Sequence, residues 1–173
     1  MVEHETGVTI GFDSRVSVGY TYSDLEADKV FANNGIVFGV AGAVLDAQIM
    51  QYADLPNPED GGWDTDKWVT NELVPALMDA MDNRGALERY AGKIESNSHS
   101  LIVVRRRVYE LFAGGAWIRR VSGKYAIGSG SQFAMGAMEA KVPVQHALEI
   151  AAQHDSGTGN RIRVIDLDEL LGA

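Results

Sequence analysis

The sequence predicts an α+β protein built as a four-layer αββα sandwich, in which two antiparallel sheets stack face to face with a helix pair on each outer side. Three observations lead there. Apolar residues recur with period two up to Ala41, at helical spacing from Ala43 to Met81, with period two again from Ser100, and at helical spacing once more from Gln132. The resulting order, β-rich, two helices, β-rich, two helices, strand, is that of an α+β fold and not of alternating βαβ units. The length of 173 residues, with 46% hydrophobic and 23% charged residues, suits one sizeable core and a single domain over 1–173.

The first β-rich stretch is Val8 to Phe12, the second Ser14 to Tyr22, and the third Ile36 to Ala41. They are separated by an acidic turn at Asp24 to Asp28 and by Asn33-Asn34-Gly35. Asn34-Gly35 between apolar runs is a hairpin signal. A helix is expected from about Ala43 to Ala53, with Val44, Ile49 and Tyr52 on one face. Asp54 to Asp64, which holds Pro56, Pro58, Gly61 and Gly62, reads as an exposed loop. Thr65 or Asp66 then caps a second helix with Val69, Leu73, Leu77 and Met81 inward, and Pro75 kinks it or marks its early turn. Strands are expected at Leu101 to Val104, Val108 to Phe112, Trp117 to Arg120 and Tyr125 to Ile127. Helices follow at about Gln132 to Glu139 and Val144 to Gln153, the latter opened by Pro143. A last strand, Arg161 to Ile165, precedes a short tail. No internal repeat or low-complexity segment interrupts this pattern.

Composition narrows the function classes. A formal net charge of −9, from 24 acidic and 15 basic residues, repels nucleic acid and anionic membrane surfaces, so neither is expected as a partner. Arg105-Arg106-Arg107, the one dense basic run, reads as the end of a solvated strand turn. There is no cysteine for a disulfide or a thiolate metal site. His4, His99, His146 and His154 show no helical ligand spacing, and no metal or other cofactor is expected. Trp63, Trp68 and Trp117 read as packing or ring contacts. The first twelve residues lack a basic, then apolar, signal-peptide pattern, and no run nears the roughly 18 apolar residues of a membrane span. A soluble, cytoplasmic protein is the expectation.

Five segments carry a resemblance over nearly the whole chain. They are Asp13-Ser14-Arg15; Lys29-Val30; Gly39-Val40-Ala41-Gly42 followed by Asp46; Tyr125-Ala126-Ile127-Gly128-Ser129-Gly130-Ser131; and Asp155 with Thr158-Gly159. In order and spacing the chain resembles the proteasome β subunit and HslV branch of the N-terminal-nucleophile (Ntn) hydrolases. In that family an N-terminal threonine provides both the nucleophilic hydroxyl and, as its own α-amine, the base that takes the proton. A free α-amine titrates near 7.7 to 8.0, close to working pH. The resemblance implies that Lys29 is a buried ammonium that lowers the proton affinity of the hydroxyl. It implies that Asp13 keeps Lys29 charged and oriented, and that Arg15 braces Asp13. Gly42 would present its N–H to the developing oxyanion, a donor worth about 10²- to 10³-fold in rate. Ser129 and Asp155 would hydrogen-bond the terminal amine and relay its proton. Thr158 stands where the family most often has serine, so a hydroxyl is kept.

The family's threonine precedes its aspartate by about sixteen residues, and 13 − 16 = −3 falls ahead of Met1. Thr6 is no substitute, because a chain starting there would lose most of its first strand. As written, the chain is therefore expected to be inactive. The resemblance leaves two main readings, a threonine-type peptidase of a self-compartmentalising ring whose terminus lies upstream, or a non-catalytic, shell-forming subunit of the same fold. A small-molecule amidase of the same superfamily ranks behind both. Expected partners are further copies of the chain in a ring, a peptide or unfolded protein substrate, and an unfoldase.

Overall fold

The computed structural model describes residues 1–4, 7–18, 21–26, 29–90 and 93–172. Along the chain these form β1 (Val2–His4), β2 (Gly7–Asp13), β3 (Arg15–Val18), β4 (Thr21–Glu26), β5 (Val30–Asn33) and β6 (Ile36–Gly42), then α1 (Val44–Tyr52). After a 3₁₀ turn at Pro58–Asp60 come α2 (Thr65–Trp68), a π-helical turn (Val69–Leu73) and α3 (Val74–Asn83). The second β-rich part is β7 (Leu87–Tyr90), β8 (Lys93–Ser96), β9 (Ser98–Val104), β10 (Arg107–Leu111) and β11 (Trp117–Ile118). The chain finishes with α4 (Ser131–Glu139), α5 (Val144–His154), β12 (Ile162–Asp166) and α6 (Leu167–Leu171). Two compact units divide it, one made of Met1–Val30 with Arg120–Ala173, the other of Phe31–Arg119.

In the first unit, β1, β2 and β12 form an antiparallel sheet. Helix α5 lies against β2 and β12 and pairs with α4. Gly11 permits this close approach, since a Cβ there would meet Val144 and Leu148 of α5 within 2.7 Å. In the second unit the sheet order is β11-β10-β9-β6-β5. One face of that sheet (Phe31, Ile36, Phe38, Val40, Ile102, Val104, Tyr109, Leu111) packs with Ile49, Met50, Leu73, Leu77 and Met81 of the helices into a single buried core. Hairpins β3-β4 and β7-β8 stand as separate two-stranded sheets.

Several expectations hold for local reasons. Asn34-Gly35 turns β5 into β6 with both residues at positive φ (50° and 77°), the combination that a two-residue hairpin requires. Val69, Leu73, Leu77 and Met81 are all buried. Pro75 sits at the start of α3, directly after the π turn. Because proline has no N–H and crowds the carbonyl four residues back, the widened turn, with the Val74 N–H reaching Val69 O, passes the proline without breaking the helix. The triple arginine does close a strand turn, with Arg105 and Arg106 both left-handed (φ 47° and 64°). The Arg105 guanidinium also donates to the carbonyls of Pro58, Gly61 and Gly62, tying down the loop before α2.

Other expectations are corrected. The cap of α2 is Asp64, whose Oδ1 accepts the Lys67 N–H at 3.1 Å. Thr65 is instead buried, and Asp66 accepts the Tyr109 hydroxyl at 2.6 Å. Ile49 of α1 is buried, but Val44 and Tyr52 are 51% and 78% exposed, so the inward face runs through Asp46, Ile49 and Met50. Ser14 to Tyr22 is not one strand, since β3 returns as β4, which takes up Asp24 to Glu26 of the supposed turn. Tyr125 to Ile127 forms no regular strand. Tyr125 exchanges main-chain bonds with Met1, next to the Val2–Lys124 bridge at the start of β1. Strand β11 stops at Ile118, and the expected short tail contains α6. Strands β1, β7 and β8 were unforeseen because their polar sequences carry no alternating apolar signal.

Candidate functional site

The residues singled out in the first unit gather in two linked clusters. Asp13 closes β2 and Lys29 immediately precedes β5. Lys29 Nζ donates to Asp13 Oδ1 at 2.9 Å, and the other carboxylate oxygen accepts two main-chain amides, from Arg15 at 3.0 Å and from Gly159 at 3.1 Å. Asp13 is therefore bonded at both oxygens by donors from three parts of the chain. The Lys29 side chain is 27% exposed, so it is half-buried where a buried ammonium was expected. Arg15 meets Asp13 through its amide, while its guanidinium donates to Ser156 O at 2.7 Å and lies over Gly159. A Cβ on Gly159, whose φ is +150°, would come within 2.6 Å of that guanidinium, so only glycine fits.

Around Asp155, at the C-terminal end of α5, lies the second cluster. Ser129 Oγ and Thr158 Oγ1 both donate to Asp155 Oδ2, at 2.6 and 2.7 Å. Burial alone would raise the Asp155 carboxyl, but the Ser129 and Thr158 hydroxyls, together with the Gly157 and Thr158 amides, outweigh it and hold Asp155 below the usual carboxylate range. With each hydroxyl proton given to Asp155, the oxygen lone pairs of Ser129 and Thr158 remain as acceptors. The cluster is thus chemically suited to receive N–H donors. The two turns interlock closely, since a Cβ on Gly130 would lie 2.4 Å from Thr158 Oγ1 and one on Gly157 2.4 Å from Ser129 Oγ. Residues Asp155 to Gly159 join the clusters, because the hydroxyl of Thr158 serves Asp155 and the amide of the next residue serves Asp13.

In the second unit, Gly42 ends β6 at a φ of +140°, and the space a side chain would take there is filled by Asn97 O, Ser98 Cα and Ser98 Oγ, at 2.3 to 2.6 Å. The sequence resemblance paired Asp13 with Lys29 and Ser129 with Asp155, and expected Thr158 to keep a hydroxyl; in the first unit Lys29 bonds Asp13, and Ser129 and Thr158 bond Asp155. It did not foresee the Gly159 amide on Asp13, the Arg15 side chain on Ser156, or Ser98 behind Gly42. Gly159 was visible as part of the Thr158-Gly159 pair; Ser98 left no signal. The histidines serve locally. His99 lies 3.1 Å from the buried Glu110 carboxylate, His154 stacks on Phe133, His146 neighbours Glu149, and the side chain of His4 lies outside the described residues. Among the described residues no group of three or more side chains could hold a metal ion.

This arrangement belongs to a known fold. BPH of Thiobacillus denitrificans superposes with a TM-score of 0.72 over 96% of this chain and 95% of its own, at 18% identity. The eukaryotic HslV of Trypanosoma brucei gives 0.65 over 95% of each chain at 22% identity. The chain has the proteasome-like Ntn-hydrolase fold. A further structure of Thiobacillus denitrificans BPH, in complex with epoxomicin, gives 0.67 over 96% of this chain and 95% of its own, at 18% identity. No protein-family model matches the chain, and no curated protein matches it in sequence. The α+β class, and the Ntn-hydrolase fold that the five segments imply, are the ones found.

The Asp155 cluster yields a direct prediction. Its lowered titration means that the bonds to it strengthen the fold above the ordinary carboxylate range and are lost as pH falls through the folded-state value. Ser129→Ala and Thr158→Val should each move the Asp155 titration upward toward that ordinary range, as read by carboxyl ¹³C shifts against pH. An unmoved titration in both variants would contradict the bonding described.

Proposed function

We propose that the chain is the body of a threonine-type peptidase subunit whose nucleophile stands four residues upstream of Met1. The observation that carries this reading is the register at the start of β1. Glu3 N donates to Gly123 O at 2.8 Å, Val2 bridges Lys124, and Met1 and Tyr125 exchange both main-chain bonds, at 2.7 and 2.9 Å. Each pair sums to 126 in residue number, so a strand leading into Met1 would run back along the segment after Tyr125, which turns at Gly128–Ser131 and carries Ser129, the residue whose hydroxyl oxygen is left as an acceptor. The family spacing from Asp13 puts the threonine on that upstream segment, since 13 − 16 = −3, four residues ahead of Met1.

In this reading the threonine α-amine donates to Ser129 and Thr158, which Asp155 holds in place, and so presents its lone pair to its own hydroxyl. The hydroxyl loses its proton to the amine and its oxygen attacks the scissile carbonyl carbon. The Lys29 ammonium favours the alkoxide character that develops on it. Gly42, by resemblance, offers its amide to the oxyanion. The ammonium then returns the proton to the leaving amine as the C–N bond breaks, and water hydrolyses the ester that remains. Met1 cannot fill this role, because its amine is buried against Tyr125 O and burial holds it near 5, well below an ordinary amine. Thr6 lies outside the described residues. The epoxomicin complex of a neighbour with the same fold supports the choice of probe.

Assembly into a ring is part of the proposal. Helix α1 leaves Val44, Leu45 and Tyr52 38–78% exposed, and α4 leaves Phe133 43% exposed, apolar surface that copies of the chain would cover. An unfoldase partner and a cytoplasmic location belong to the same reading. Among the described residues no helix is long and apolar enough to cross a membrane.

A form extended upstream so that its first residue is a threonine four positions ahead of Met1 should hydrolyse a fluorogenic peptide and be trapped by epoxomicin. Lys29→Ala in that form should remove both activities, and the polypeptide starting at Met1 should show neither. An extended form with its threonine exposed and no activity would instead favour the non-catalytic, shell-forming subunit. Sedimentation velocity at micromolar concentration should give a large homo-oligomer; a clean monomer would count against the ring.

A further inference from the structure

Helix α1 begins without a side-chain cap of its own, since its N-cap is Ala43. The work falls to a different part of the chain. The Ala43 N–H donates to Ser98 Oγ at 3.1 Å and to Asn97 O at 3.3 Å, both at the start of β9. Asp46, in the first turn of α1, is 1% exposed, and its carboxyl is hydrogen-bonded by the Ser98 side chain and the Asn97 main chain, while Oδ2 has no partner. Burial pushes the Asp46 carboxyl up, against the effect of those two donors. In a capping box the carboxylate of the third helical residue accepts the N-cap N–H; here Ser98 Oγ accepts the Ala43 N–H in its place, and the Ser98 hydroxyl in turn bonds the Asp46 carboxyl. Gly42 is packed against the same atoms, with Ser98 Oγ and Asn97 O filling the place of a Cβ.

The geometry points to Asp46 as a positioning residue for Gly42, acting through Ser98 to fix the main chain where β6 passes into α1. A buried carboxyl beneath an ordinary helix start would stabilise that helix and nothing else. Here the hydroxyl that it holds also fills the space that keeps Gly42 at φ +140°, so releasing Ser98 would free the peptide that offers the oxyanion donor. This inference rests on the proposed peptidase reading for its effect on rate, but not for its effect on the main chain.

Two measurements test it separately. In the extended, threonine-bearing form, Asp46→Leu and Ser98→Ala should each lower kcat by about tenfold to a hundredfold with KM within about twofold, because a misplaced donor weakens the transition state more than the bound substrate. Asp46→Asn keeps an acceptor for the Ser98 hydroxyl and should restore most of kcat. In the chain starting at Met1, which needs no activity, hydrogen exchange over residues 41–46 should speed up in Asp46→Leu and Ser98→Ala and stay slow in Asp46→Asn. Unchanged exchange in Ser98→Ala overturns the inference even if the extended form proves inert, and so does an unchanged kcat in an active extended form. An inert extended form with the expected exchange pattern would sink the peptidase reading and leave the positioning contact standing.

Discussion

The first unit depends on one carboxylate. Asp13 takes an ammonium from Lys29 at one oxygen and, at the other, amides from Arg15 two residues on and from Gly159, 146 residues away. A buried carboxylate such as Asp13 is tolerable only when its lone pairs are filled, and an amide aimed at it would be left without an acceptor if it were removed. The same three bonds therefore locate the end of β2, the approach to β5 and the loop after α5. Because the loop from Asp155 to Gly159 also carries the acceptor for Ser129, the position of Asp13 sets that of the second cluster.

That second cluster is rigid for steric reasons as much as for hydrogen bonding. Two hydroxyls converge on one oxygen of Asp155 while Gly130 and Gly157 let the turns approach to distances that no side chain would allow. Such a site cannot easily reorient its hydroxyls, since each proton is fixed on a carboxylate held ionised by several donors. Under the proposed peptidase reading, fixed acceptors of this kind suit the orientation of an amine, where an error of a fraction of an ångström is costly in rate.

Much of this was legible in the sequence because the informative residues are ones that physical constraint leaves few substitutes for. Asn34-Gly35 announces its hairpin through positive φ, and the helical spacing of Val69, Leu73, Leu77 and Met81 announces the buried face. Asp13 and Lys29, sixteen residues apart, were paired by resemblance, and they are 2.9 Å apart in space. What escaped the sequence is tertiary. Ser98 accepts the N–H of Ala43, 55 residues earlier at the start of α1, and the donation of the Gly159 amide to Asp13 spans 146 residues; neither follows from local pattern. Polar strands such as β1 and β7 escaped for the opposite reason, since main-chain pairing needs no apolar alternation. Asp64 displaced Thr65 as a cap because Thr65 is drawn into the core.

The central claim is positional: a strand continued upstream from β1 delivers its fourth added residue to Ser129 and Lys29. The measurement that tests it most directly is a crystal structure of the extended chain with threonine at that position. The account places the threonine amine within about 3 Å of Ser129 Oγ and its hydroxyl within about 3 Å of Lys29 Nζ. An added segment that leaves the register of Met1 with Tyr125 and carries the threonine away from both side chains would contradict it.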